Sequence, residues 1–265
     1  LANVLEVQLE DREGAYETWM EILDADDGSD QAIAELWRMY EEGLHRLEIA
    51  ERLEPIFLDG QDWEELHGLY ELKLDVLEET AARRETMVAL GDLNQEQLQR
   101  KPEAMIWLGR AFRVDPEDDV LLERVWNLAS EMGQWTELSA ILMDGAEGSS
   151  EDSRRALLWR RAAEITRQHA GNEEAAEELC HRVLELEPDE PDTLALLGDI
   201  YRGQSRHEEL ADVLERRSDL ADSESGRVRL LRQLVALYRE QLDDPMQAIS
   251  ASHRLLDSAP EDRET

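Results

Sequence analysis

A single cysteine, Cys180, in 265 residues excludes an intramolecular disulfide framework and any zinc cluster built from several thiolates. Aromatic residues make up only 5% of the chain, and the alternating β-branched and aromatic runs that mark strands are missing. No stretch approaches the roughly 18 apolar residues of a membrane span, and residues 1–15 lack the charged-then-apolar design of a secretory leader. HExxH, CxxC, P-loop, GxSxG and GxGxxG motifs are also absent, so the common routes to metal hydrolysis, phosphate binding and nucleophilic catalysis have no candidate here. Basic residues are scarce: 28 Lys plus Arg stand against 64 Asp plus Glu, a formal net charge of -36. Such a field repels phosphates and anionic lipid, which counts against nucleic acid or membrane as a partner. It reads either as a solvated acidic shell or as a surface that recruits a basic partner.

What is present favours helix. Leu, Ala, Glu, Arg and Met dominate, all good helix formers. The chain also repeats itself: QDWEEL (61–66), GQWTEL (133–138) and SRHEEL (205–210) are spaced 72 residues apart. The same interval relates Ala32, Ala104, Ala176 and Ala248, and again Pro116, Pro188 and Pro260. A period of this length fits two helical hairpins of about 36 residues each. The apolar spacing predicts a helical remnant at 1–9, then pairs of A and B helices at 12–24 and 29–43, 46–58 and 62–78, 81–95 and 99–114. The series continues with pairs at 118–132 and 135–147, 151–169 and 173–187, 191–203 and 206–220, and 224–242 and 246–258. Proline stops one helix and admits the next, and a small alanine recurs where two helices must cross closely.

In LALLGDIY, residues Leu194, Leu197, Gly198 and Tyr201 carry the large-x-x-Leu-Gly-x-x-Tyr pattern. Ala104, Leu108, Ala111 and Pro116 form a second pattern that recurs as Ala176, Cys180, Val183, Pro188 and as Ala248, Ser252, Leu255, Pro260. With these residues the chain resembles the tetratricopeptide repeat (TPR) family over nearly its whole length. The resemblance implies an all-α, right-handed solenoid of about seven antiparallel hairpins, forming one domain over 1–265, with A helices lining a concave groove. It further implies a protein-interaction scaffold for proteins or peptides, without catalysis or cofactor. Carrying the family's groove-facing positions onto this sequence gives Arg160, Arg167, Arg202, Arg229, Arg232 and Arg239. Together they are expected to form a basic strip for acidic side chains or a peptide C-terminus, through the bidentate hydrogen bonds that guanidinium makes. The competing expectation is that these arginines pair with Glu and Asp on adjacent helices. Glu164 and Ala236 stand where carboxylate-clamp members of the family carry Asn, so that clamp is not reproduced.

Other polar clusters have structural readings. In DADDGSDQAIAE (24–35) a calcium loop beginning at Asp24 would place Gly28 fifth and Ser29 sixth, where an oxygen ligand and the turn glycine belong. The repeat aligns the stretch instead with DDPMQAI (243–249), which makes it an A-to-B turn with no metal. Cys180 and His181 are adjacent on a helix and point about 100° apart, a poor metal pair. His207 takes the place of Trp63 and Trp135 in the repeat, and all three read as packing residues. The chain begins at Leu1 inside a helical pattern and ends at Thr265, 72 residues after Thr193, so a piece of a longer solenoid is expected. Its last hairpin would then present an apolar face for more chain or for a second copy. With no leader or span, a cytoplasmic place is expected. The alternative functions are a regulatory repeat arm of a multidomain enzyme or, against the charge, an RNA-binding helical repeat.

Overall fold

The computed structural model describes residues 11–259. The expected remnant at 1–9, together with Pro260 and Thr265, lies outside them. The described residues form helices without a strand. In order these are α1 (Arg12–Ala25), α2 (Asp30–Glu41), α3 (Arg46–Gly60), α4 (Trp63–Val76), α5 (Thr80–Glu96), α6 (Lys101–Val114) and α7 (Asp119–Met132). There follow α8 (Trp135–Gly148), α9 (Asp152–Ile165), α10 (Glu173–Leu186), α11 (Pro191–Gly203), α12 (His207–Asp219), α13 (Glu224–Glu240) and α14 (Pro245–Ser258). The chain is thus the all-α repeat of helical hairpins that the spacing predicts, with boundaries displaced by no more than a few residues. One helix differs in kind: the segment predicted as 151–169 is α9 followed by a π turn at Thr166–Ala170, which Gly171 ends.

Local chemistry sets the helix ends. Asp11, Asn172, Ser223 and Asp244 each accept a backbone N–H of the first turn that has no partner within the helix. Pro191 and Pro245 stand at the first position of their helices, where the missing N–H costs nothing. Pro116 and Pro188 fall in the turns after α6 and α10. Left-handed backbone recurs in two series spaced by the repeat. Gln61 (φ 60°), Gly133 (69°) and Ser205 (57°) form one, and Gln99 (57°), Gly171 (63°) and Asp243 (50°) the other. The 72-residue period is therefore written in the backbone even where the side chain at the turn changes.

Contacts divide the chain into two compact units, Leu1–Leu128 and Ala129–Thr265, with the border falling inside α7. In the first unit each helix from α1 to α6 packs on the next. Its core gathers Trp19, Leu36, Leu53, Phe57 and Leu69, and the buried Tyr40 hydroxyl ties α2 to α4 by donating to the Leu69 carbonyl at 2.5 Å. In the second unit the same neighbour-to-neighbour packing runs from α8 to α14, burying Leu158, Cys180, Val183, Leu197, Ile200 and Leu234. Ala32, Ala104 and Ala176 have 0% exposure and Ala248 has 5%, each near the start of the second helix of its hairpin.

An added Cβ at Gly133 meets nothing within 4 Å, so only backbone strain opposes a side chain there. Gly133→Ala is expected to cost about 1 kcal/mol. The converse change Ser205→Gly, at the equivalent turn, should raise the urea midpoint. Equal midpoints for Gly133→Ala and the parent protein would contradict this account.

Candidate partner-binding surface

The six arginines singled out by the repeat all lie in the second unit: Arg160 on α9, Arg167 on the π turn, Arg202 on α11, and Arg229, Arg232 and Arg239 on α13. They do not share one environment. Arg160 bonds Glu164 one turn along its own helix at 2.8 Å and reaches Glu190 and Asp192 at the start of α11, at 4.0 and 3.9 Å. Arg202 bonds Asp199 at 2.7 Å, and Arg167 approaches the same carboxylate at 3.8 Å. Arg160 and Arg167 thus approach acids on the adjacent α11, as the competing expectation has it, whereas Arg202 pairs within its own helix; each such part-exposed pair contributes about 0–1 kcal/mol. On α13, Arg229, Arg232 and Arg239 are exposed. No carboxylate lies within ion-pair distance of Arg229 or Arg239 among the described residues.

A seventh arginine, outside the six, joins them. Arg217 on α12 is half-buried, and a Cβ at position 198 would lie 3.5 Å from its Nη1. Its guanidinium therefore rests on the bare backbone of Gly198, where α11 and α12 pack together. Among the described residues it has no carboxylate within ion-pair distance. Burial presses its pKa down; Asp199 opposes that, while the Arg202 and Arg229 charges reinforce it. Arg167, Arg202 and Arg217 thus look to the single Asp199 carboxylate, with Arg229 beside them. In a chain of net charge -36 this is a local deficit of negative charge. The arrangement suits an incoming carboxylate, which guanidinium groups bind by charge-assisted, often bidentate, hydrogen bonds. Sequence reading missed Arg217 because it sits on a B helix, away from the positions that face a groove.

The remaining candidates settle into structural roles. DADDGSDQAIAE is the turn from α1 to α2: Asp26 Oδ1 accepts from the Gly28 N–H at 3.2 Å, and Asp24 turns away to accept from Arg52 on α3 at 3.1 Å. Among the described residues no cluster of three or more His, Cys, Asp and Glu side chains is arranged to hold a metal. Cys180 is fully buried, whereas its neighbour His181 is exposed, with Nε2 lying 3.3 Å from the Tyr201 hydroxyl. Trp63 is half-buried against the core of the first unit, and Trp135 stacks on His169 with ring centroids 4.0 Å apart. His207 is half-buried, and its Nδ1 is without a hydrogen-bond partner among the described residues. No helix of the described residues is long and apolar enough to cross a membrane.

Fold and surface together define an all-α protein of repeated helical hairpins, similar to TPR proteins. No known family profile matches the sequence, and neither does any curated protein. Solved structures do match, at low identity. The C-terminal part of a TPR repeat-containing protein from Cytophaga hutchinsonii has 11% identity and a TM-score of 0.44, covering 94% of this chain and 96% of that one. MamA has 14% identity and a TM-score of 0.42, covering 64% of this chain and 94% of its own. YrrB, described as a TPR protein with an unusual peptide-binding site, has 11% identity and a TM-score of 0.41, covering 67% of this chain and 87% of its own.

Burial pushes the Cys180 thiol up to about 12, and the neighbouring Glu164, Glu177 and Glu190 charges add to the effect. The reactive thiolate is therefore suppressed in the folded chain. Ellman's reagent at pH 8 should modify Cys180 only at the rate of unfolding, and at the rate of a free thiol in denaturant. Fast reaction of the native protein would contradict the burial.

Proposed function

We propose that this chain is a protein-interaction scaffold whose second unit holds an acidic peptide segment or a peptide C-terminus against α11, α12 and α13. Arg202, Arg217 and Arg229 make the primary contact, and Arg232 and Arg239 extend it along α13. Arg160 and Arg167, engaged with Glu164 and Asp199, lie at its α9 side. The observation that carries the reading is Arg217: a half-buried cation beside two others, with no carboxylate of its own in ion-pair distance among the described residues. A partner's carboxylate supplies the missing counter-charge. The net charge repels an acidic partner at long range, so its attachment rests on the local attraction of these arginines. Stacked hairpins provide a broad binding surface without a catalytic pocket, as is general for helical repeats.

The test uses a fluorescein-labelled, glutamate-rich peptide with a free C-terminal carboxylate, followed by fluorescence anisotropy. Saturable binding that weakens as salt rises is expected. Arg217→Gln and Arg229→Glu should each weaken it by about tenfold or more. Charge reversal at Arg12, in the other unit, should leave it unchanged. Peptide binding undiminished in both the Arg217 and Arg229 variants overturns the proposal, as does tighter binding of a single-stranded RNA of equal charge.

A further inference from the structure

A cavity of about 430 Å³ opens in the second unit between α8, α10 and the π turn at the end of α9. Its size falls in the range of small-molecule sites. Trp135, Met143, Ile165 and Leu179 give it largely apolar walls. Its buried polar groups serve one another: the Ser139 and Thr166 hydroxyls lie 2.9 Å apart, and Ser139 Oγ is 3.5 Å from the Ala162 carbonyl oxygen. Hydroxyls already paired need no water to satisfy them, and an apolar space of this kind favours an apolar guest. Arg182 stands at the rim. It donates to the exposed Glu178 carboxylate at 2.9 Å, and its guanidinium carbon lies 5.8 Å from the Trp159 ring centre.

The 72-residue period supplies a reference for what this space lacks. Among the lining residues that are smaller than their counterparts one period earlier are Ser139 against His67, Ala170 against Leu98, and Leu179 against Trp107. In the first unit Leu98 and Trp107 are half-buried against the core. The Arg110 guanidinium lies 4.6 Å from the centre of the Trp107 indole. Arg182 is the counterpart of Arg110. The second unit thus keeps the arginine, which lies toward Trp159 instead, but has no counterpart of the Trp107 indole, and a cavity lies beside Leu179, the residue that replaced it.

We infer that this cavity is a binding site for a planar aromatic ring of about indole size, capped by Arg182 as Arg110 caps Trp107. The site is separate from the arginine surface on α11, α12 and α13, and it does not depend on that reading. The ring is recognised by apolar contact with Trp135 and Leu179 and by cation–π attraction to Arg182. A free aromatic molecule or the aromatic side chain of a partner offers the same chemistry.

Fluorine NMR with 5-fluoroindole, and in parallel with N-acetyl-5-fluorotryptophanamide, tests the site and distinguishes the two sources. Saturable one-site binding of at least one probe is expected. Binding confined to free fluoroindole identifies a small-molecule site, and binding of the amide identifies a side-chain site. Leu179→Trp and Ala170→Leu, which restore the first unit's residues, should each weaken binding by at least about tenfold and raise the melting temperature. Arg182→Ala should weaken binding with little change in melting temperature, and Arg217→Gln should leave it intact. Where Leu179→Trp fails to give a native circular dichroism spectrum, Ala170→Leu carries the test. Absence of saturable binding by both probes, or undiminished binding in the folded cavity-filling variants, overturns the inference.

Discussion

Close approach of helices is the constraint on which the rest of the structure depends. Ala32, Ala104, Ala176 and Ala248 lie near the start of α2, α6, α10 and α14, fully or almost fully buried. A larger side chain there would force the backbones apart and strain a core packed at the density of a crystal. The leucine faces on either side are useful only because the alanines let them meet. At Gly198 a polar side chain joins the packing: Nη1 of Arg217 lies 3.5 Å from where a Cβ at that position would stand. The basic surface is in this sense a product of the packing, which brings Arg217 near Arg202 and Arg229.

The sequence made the helices legible because their determinants are local. Apolar residues at three-and-four spacing, caps such as Asn172 and Asp244, and turn prolines such as Pro188 all act within a few positions of where they stand. The 72-residue period then fixed the order of A and B helices, which periodicity alone leaves ambiguous around Ile33, Leu36, Trp37 and Tyr40. The π turn at Thr166–Ala170 was not legible: TRQHA has no residue that breaks a helix, and the departure depends on how α9 packs against α8 and α10.

Site residues were legible only in part, for a similar reason. Family positions marked the arginines of α9, α11 and α13, but they gave no information about partners in space. Asp199 stands one turn before Arg202 on α11, a local spacing, but its approach to Arg167 depends on how the helices pack. Arg217 escaped notice because it stands on a B helix, and its nearness to Arg202 and Arg229 is set by how the helices pack. The truncations at Ser139, Ala170 and Leu179 were visible in principle, since each is a smaller residue than its counterpart in the period. Recognising them required the knowledge that all three line one space.

The arginine pairs have a consequence for the medium around the protein. Arg52 with Asp24, Arg206 with Glu177 and Arg254 with Asp219 tie one helix to another, yet 28 bases cannot neutralise 64 acids. The unmatched carboxylates repel one another across the surface, and at the low ionic strength where the Debye length exceeds about 10 Å that repulsion reaches across several helices. Dissolved cations complete the charge balance that the sequence leaves open. This fold is therefore expected to lose stability in dilute buffer and to regain it as electrolyte is added.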